Sequence, residues 1–293
     1  PLLVSVRSGS KFSMPGMMDT ILNLGLNHQS VEIFARKTRN PVFAYDCYRR
    51  LIQMFGDVVK GVDKNVFEET LTQYKAAHGY SSDIEMKAED WKEIIQQFTT
   101  IYLNEVGENF PQDPSKQLYA AVEAVFTSWN NPRAVTYRRI HEISDKLGTA
   151  VNIQEMVFGN TGGNSGTGVA FTRNPATGEA GVFGEFLLNA QGEDVVAGIR
   201  TPRPIQELKQ DQPAIYLQFE KICHQLEDHY QDMQDIEFTI EEGKLFILQT
   251  RNGKRTAKAA FKIATQMAED GVISKEESLK RLTPSMITQL LHP

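Results

Sequence analysis

Hydrophobic positions change their period along this chain, and each change marks a different kind of element. The opening run Pro1-Leu2-Leu3-Val4-Ser5-Val6 reads as a strand. From about residue 28 to residue 147 the apolar residues recur at helical spacing. Residues 41–57 carry Phe43, Tyr48, Leu51, Ile52 and Phe55, with Arg49 and Arg50 between them. Residues 64–78 and 89–104 continue the pattern, the second through Trp91, Ile94, Ile95, Phe98 and Ile101. Residues 115–128 and 132–147 complete it, with Pro41, Pro111, Pro114 and Pro132 as punctuation. After Gly148 the period shortens. Val151–Phe158 reads as a strand, Gly159–Gly168 (GNTGGNSGTG) as a glycine-rich loop, and Val169–Arg173 as a returning strand. Asn174–Gly178 is a turn, Val182–Leu188 a further strand, and Gln191–Val196 a loop with paired acids. Residues 213–233 form a helix striped by Ile215, Phe219, Ile222, Leu226 and Tyr230. Thr256–His292 reads as two helices, with Ser274 and Glu277 at capping-box spacing.

The most informative stretch lies between these helices. Asp235–Ile240 and Leu245–Arg251 are runs rich in β-branched and aromatic residues around a Gly-containing turn, the pattern of a β-hairpin. Side chains alternate faces along a strand, so Asp235, Glu237 and Thr239 share one face while Ile236, Phe238 and Ile240 take the other. Regular alternation on the second strand puts Gln249, Arg251 and Ile247 on one face. The polar sets meet if the loop holds an odd number of residues, as Glu241-Glu242-Gly243 does with Gly243 in a left-handed position. Two carboxylates, an amide and a guanidinium would then converge. Carboxylates hold Mg²⁺, and amide and guanidinium groups reach anionic oxygens. The same pattern also suits an antiparallel strand pair with one wet face.

The glycine loop is the second signal. A strand, a glycine-rich loop and a strand let backbone N–H groups close over phosphate, because glycine has no Cβ to block the approach. The loop matches neither GxxxxGK[ST] nor a GxGxxG that opens a helix. A flexible hairpin tip without a ligand fits it as well. Other features take the plainer reading. His224 and His229 are five apart and share no helix face. Met14, Met17 and Met18 read as packing residues, and Glu68, Glu69, Asp83 and Glu85 as solvated helix faces. Gly253-Lys254 is half of a Walker ending without its loop.

Composition narrows the class. A chain of 293 residues, 41% hydrophobic and 23% charged, suits a globular protein of about two domains. The net charge of -6 argues against nucleic acid as the main partner. Two cysteines, Cys47 and Cys223, far apart, favour a reducing compartment such as the cytoplasm over a disulfide framework. No apolar run approaches the ~18 residues of a membrane span. The start within a strand and the lack of an initiator Met read as a piece of a longer protein.

Five stretches taken together carry a resemblance. They are Val4–Gly9 (VSVRSG), Ser13–Thr20 (SMPGMMDT), Ser165–Pro175 (SGTGVAFTRNP), Asn189–Asp194 (NAQGED) and Leu248–Arg251 (LQTR). In this order the chain resembles the nucleotide-binding domain of the pyruvate, phosphate dikinase family, an α+β domain of ATP-grasp type. The SMPGMMDT loop favours this family over the phosphoenolpyruvate synthases. The resemblance implies a first grasp lobe over residues 1–27 and 112–158 and a helical insertion over 28–111. A second lobe would span 159–253, and a helical linker 254–293.

By the same resemblance, Arg7 contacts the ATP phosphates and Gly16 sits in a phosphate-side loop. Gln154, Met156 and Val157 lie in the hinge strand that holds adenine. Gly166, Thr167 and Gly168 belong to a glycine-rich lid whose amides stabilise developing charge. Asp235 and Glu237 bind Mg²⁺, while Gln249 and Arg251 surround the transferring phosphoryl groups. Arg50, Glu193 and Asp194 lie on the phosphate side. Arg7, Gln249 and Arg251 are thereby the expected catalytic residues, and Glu237 and Gln249 also contact ATP. The implied activity is a transferase half-reaction, in which ATP and inorganic phosphate phosphorylate a histidine on a separate swivelling domain, giving AMP and diphosphate. The family also has a pyruvate/phosphoenolpyruvate barrel and forms homo-oligomers. Its domain begins with a further segment carrying a phosphate-binding lysine, which is not in this sequence. The alternative is a non-catalytic remnant acting as a binding or interaction module.

Overall fold

The computed structural model describes residues 1–196 and 200–291, apart from the side chains of Glu193 and Val196. The chain divides into two units, Pro1–Met156 and one that begins at Val157.

The first unit sets a small sheet among helices. Strands β1 (Val4–Gly9), β2 (Thr20–Leu24) and β3 (Ala150–Glu155) pair antiparallel in the order β2-β1-β3. Between β2 and β3 run α1 (His28–Thr38), α2 (Pro41–Met54), α3 (Lys64–His78), α4 (Ala88–Val106), α5 (Pro114–Thr127) and α6 (Pro132–Ile140). Their starts follow from capping chemistry. Asn27 Oδ1 accepts from the N–H groups of Gln29 and Ser30, and the Ser30 hydroxyl accepts the Asn27 N–H. Asn40 and Asp113 cap helices whose first residue is proline, where no N–H is missed. Helix α2 runs into a π-helical turn at Phe55–Val59. A Cβ on Gly56 in this turn would lie 2.9 Å from Phe67 Cζ, so glycine lets the α3 ring press against the backbone. Tyr48, Phe55, Phe67, Trp91, Phe98 and Tyr102 form the buried apolar interior.

The second unit is a five-stranded antiparallel sheet with helices packed on it. Its elements are β4 (Gly166–Arg173), β5 (Ala180–Leu188), α7 (Gly192–Val196), β6 (Arg203–Pro204), α8 (Leu208–Asp211), α9 (Pro213–Tyr230), β7 (Gln234–Glu241) and β8 (Lys244–Asn252). The tail forms α10 (Ala257–Glu269), α11 (Lys275–Lys280) and α12 (Pro284–Leu291), three helices where the sequence suggested two. Strand order is β6-β5-β4-β7-β8. Ile215, Tyr216, Phe219 and Cys223 of α9 pack with Ala170, Phe186, Ile236, Phe238 and Ile240. The Phe219 and Phe238 rings lie 4.5 Å apart. Phe171, on the other side of β4, packs with Met233, Ala259, Ile263 and Met267.

Several boundaries differ from the sequence reading. The helix at 41–57 ends as α-helix at Met54, and that at 132–147 ends at Ile140. Strand β3 stops at Glu155 rather than Phe158, and the Met156 N–H then donates to Leu3 O at 2.9 Å. The glycine-rich loop ends at Ser165. Gly166, Thr167 and Gly168 are not in a loop but in β4, paired to β5 and to β7. Their N–H groups belong to these ladders, so they do not form an open lid. A Cβ on Gly168 would meet Glu185 O at 2.5 Å and the Phe238 ring at 2.7 Å. Close strand packing accounts for this glycine. Asp194 lies in α7 rather than a loop, and its Oδ2 accepts the Gln191 N–H at 2.9 Å.

Candidate functional site

The hairpin β7–β8 brings the four predicted residues together, by a route other than the one expected. Glu241 pairs with Lys244, which leaves a two-residue turn, Glu242-Gly243, with φ of 49° and 78°. Both left-handed values mark a type I′ turn. An even loop alone would set Gln249 and Arg251 on the face away from Asp235. The pairing slips between Glu237 and Phe238, where Ile247 faces Phe238 and Gln249 faces Glu237, leaving Leu248 as an extra residue. This β-bulge reverses the alternation, so Ile247 packs with the core and no longer shares a face with Gln249. Asp235 stands opposite Arg251, and Glu237 opposite Gln249.

One guanidinium holds both acids. Arg251 Nη2 lies 3.0 Å from Asp235 Oδ2 and 2.9 Å from Glu237 Oε1, and Arg251 Nε donates to Asp235 Oδ2 at 3.2 Å. Burial pushes the Asp235 carboxyl above its ordinary range and the Glu237 charge adds to this, while the Arg251 cation opposes both. Two carboxylate oxygens therefore converge on one positive centre in a half-buried setting. Register also places Thr167 and Val169 of β4 on this face, beside Thr239 and Glu237.

Among the described residues no group of three or more His, Cys, Asp or Glu could enclose a metal ion. Two hard carboxylate ligands suit Mg²⁺, which is bound through one or two carboxylates plus phosphate and water. A structural zinc site, closed by four Cys or His ligands, is not what these side chains offer.

The loop Gly159–Ser165 is tied at its base and open at its tip. Ser165 O accepts from Asn189 N at 2.8 Å, Gly159 O from Ala190 N at 2.9 Å, and Asn164 O from Gly243 N at 2.9 Å. Ser165 Oγ accepts the Glu242 N–H at 2.9 Å. A Cβ on Gly159 would meet Ala190 O at 2.4 Å, whereas Gly162 and Gly163 face open space.

Other predicted residues lie in the first unit. Arg7 is on β1, opposite Thr20 and Asn152. Gly16, with φ of 69°, follows Pro15 in a turn closed by the Met17 N–H to Met14 O bond at 3.1 Å. Pro then a left-handed Gly is the signature of a type II turn. Met14 is buried with Trp129 and Ala134, with Met17 and Met18 against it. Gln154 pairs with Ser5 on β3, and its carbonyl accepts the Ser5 hydroxyl at 3.3 Å. Arg50 Nε donates to Asp46 Oδ2 at 3.0 Å, on a helix face that also ties Arg49 to Asp46. Val157 opens the second unit. The Glu193 side chain lies outside the described residues.

Fold and site together define an α+β domain with a carboxylate–arginine centre suited to a metal ion and phosphate. The family described as "Pyruvate phosphate dikinase, AMP/ATP-binding domain" matches residues 1–218 and 206–271. The chain is 58% identical over 294 residues to pyruvate, phosphate dikinase of Clostridium symbiosum, covering 100% of this chain and 34% of that protein. It is 58% identical over 305 residues to the Rhizobium meliloti enzyme of the same name, with the same coverage. With the chloroplastic pyruvate, phosphate dikinase 1 of Arabidopsis thaliana it shares 54% over 293 residues, 100% of this chain and 30% of the relative. The chain belongs to the pyruvate, phosphate dikinase family, in its AMP/ATP-binding domain. It spans about a third of the length of these relatives.

Proposed function

We propose that this chain binds ATP with Mg²⁺ and supplies the nucleotide half-reaction of a pyruvate, phosphate dikinase. The observation that carries this reading is the convergence of Asp235 and Glu237 on Arg251, beside Gln249. Asp235 and Glu237 would hold Mg²⁺, which neutralises charge on the phosphates when bound. Arg251 then reaches anionic oxygens as a planar, always charged donor, and Gln249 offers an amide beside it. Family membership supports the assignment of Arg7 and Gly16 to the phosphates and of Gln154, Met156 and Val157 to adenine. It also supports Arg50, Glu193 and Asp194 on the phosphate side, and the ATP-grasp partition into two lobes, an insertion and a linker.

In the proposed reaction the β-phosphoryl group of ATP passes to a histidine on another domain of the whole protein. Inorganic phosphate takes up the γ-phosphoryl group, so AMP and diphosphate leave. That histidine, a pyruvate/phosphoenolpyruvate site and homo-oligomerisation belong to the proposed full-length enzyme.

Calorimetry of ATP binding with and without Mg²⁺, on this chain and on Glu237→Ala, tests the reading. Binding that needs Mg²⁺, and a variant that loses this dependence, supports it. Absence of binding by both proteins at millimolar ATP overturns it for this chain and leaves a non-catalytic module.

A further inference from the structure

The strand residues next to Asp235 and Arg251 are held by a buried polar chain that touches no proposed ligand. The β4–β7 pairing reaches Phe171 opposite Asp235. One residue further, the Gln234 N–H donates to a side chain, Thr172 Oγ1, at 3.1 Å. The same hydroxyl donates to Glu227 Oε2 of α9 at 2.6 Å. Glu227 Oε1 accepts from Arg173 Nε at 2.8 Å, and Arg173 Nη1 donates to Gln266 Oε1 of α10 at 3.0 Å. Gln234 is 1% exposed, and its Oε1 accepts the Thr250 hydroxyl at 3.1 Å. Thr250 stands between Gln249 and Arg251 in sequence. The chain therefore grips the residue before Asp235 and the residue between Gln249 and Arg251.

We infer that Thr172 is a positioning residue for the Asp235–Arg251 pair, acting through the Gln234 backbone, with Glu227 fixing its hydroxyl. Thr172 is 6% exposed and lies in a fully occupied network, where one hydroxyl both accepts and donates. Valine has the same shape without the hydroxyl, so it leaves a buried N–H and a carboxylate oxygen without this partner. Supporting groups behind a ligand set its orientation, and their loss weakens metal binding without touching the ion. The inference rests on the proposed Mg²⁺–ATP site for its functional reading. Its geometric part does not.

The test uses the whole chain with Thr172→Val, Thr172→Ser and Glu227→Gln. The Arg251 Nε–H proton, bonded to Asp235, reports the geometry by ¹⁵N NMR without metal or nucleotide. Mn²⁺ titration in the presence of ATP, read by water proton relaxation, reports the site. Thr172→Val is expected to speed exchange of the Arg251 Nε–H proton and to weaken Mn²⁺ binding about tenfold. Thr172→Ser, which keeps the hydroxyl, is expected to restore both, and Glu227→Gln to fall between. Wild-type exchange and Mn²⁺ affinity in Thr172→Val overturn the inference, as does an equal loss in Thr172→Ser. If Thr172→Val does not fold, Glu227→Gln decides, since a wild-type Arg251 signal there overturns it. If the wild-type chain binds no Mn²⁺ with ATP, the site reading fails, and the Arg251 signal alone then decides for or against Thr172.

Discussion

Arg251 carries the electrostatics of the candidate site, because its one guanidinium lies against two carboxylates. Replacing it with methionine keeps the packing of the stem and leaves Asp235 and Glu237 side by side without a cation. Breaking a partly buried pair by removing one partner costs about 2 kcal/mol, less than in a fully dry interior. Urea denaturation of Arg251→Met at pH 7 is expected to show that loss. The loss shrinks as pH falls, and the sign follows from proton binding. Asp235 already has a raised carboxyl in the folded chain, so the folded state takes up its proton first and gains stability as pH drops through that value. A deficit of equal size at pH 5 and pH 7 would show that repulsion between the two acids is not its cause. Cys223 gives a second prediction at this scale. Burial pushes its thiol up to about 12, with Glu227 and Glu220 adding to the effect. The thiolate is the reactive form, so Cys223 is expected to resist iodoacetamide at pH 8 in the native chain and to react in urea. Fast native labelling would mean that this part of α9 opens readily.

At the scale of elements, the glycines separate two uses of one residue. Gly168 lies in a central strand where a Cβ would strike Glu185 O, and Gly163 lies at the loop tip where a Cβ meets nothing within 4 Å. Gly168→Ala is expected to destabilise by roughly 2–3 kcal/mol, because two backbones cannot give way as a flexible side chain can. Gly163→Ala is expected to fall within about 0.5 kcal/mol of the parent. Thermal unfolding of the pair checks both, and equal melting temperatures would contradict the strand assignment. The run GNTGGNSGTG read as one loop because glycine marks open turns and close packing alike. Strand β7 was legible, since Asp235, Glu237 and Thr239 alternate with Ile236, Phe238 and Ile240 without interruption. The face of β8 was not, because Leu248 as the bulged residue has no signal of its own in LFILQTR. A correct convergence was thus reached through the wrong turn. Five-residue β2, between a turn-rich loop and a helix, was too short to carry a period. Gln234 did leave a mark: it is the polar member of the series Gln234, Ile236, Phe238, Ile240, and a polar side chain at a core position needs partners.

On the whole molecule, each unit has its own buried interior and its own buried acid, and the two acids respond to pH in opposite directions. Asp46 of the first unit feels burial most, which alone would raise its carboxyl. The Arg49 and Arg50 cations and their hydrogen bonds outweigh this and hold it below the usual carboxylate range. Its contribution to stability is fully present above about pH 4 and is lost as pH falls through the lowered folded value. Asp235 of the second unit is raised, so the cost of its burial is felt at neutral pH and is relieved as pH falls through the raised folded value. Acid should therefore loosen the two units unequally. Hydrogen exchange read between pH 6 and pH 3, corrected for intrinsic rates, is expected to show α2 and the helices around it losing protection before β4 and β7. Asp46→Asn would lower the first unit's stability at pH 6, where it removes the ionised partner of Arg49 and Arg50. The deficit would shrink as pH falls through the lowered folded value of Asp46. Because the contrast is internal to one molecule, buffer and salt act on both halves together. A uniform loss of protection, or a first loss in β7, would show that carboxylates other than these two govern the acid response.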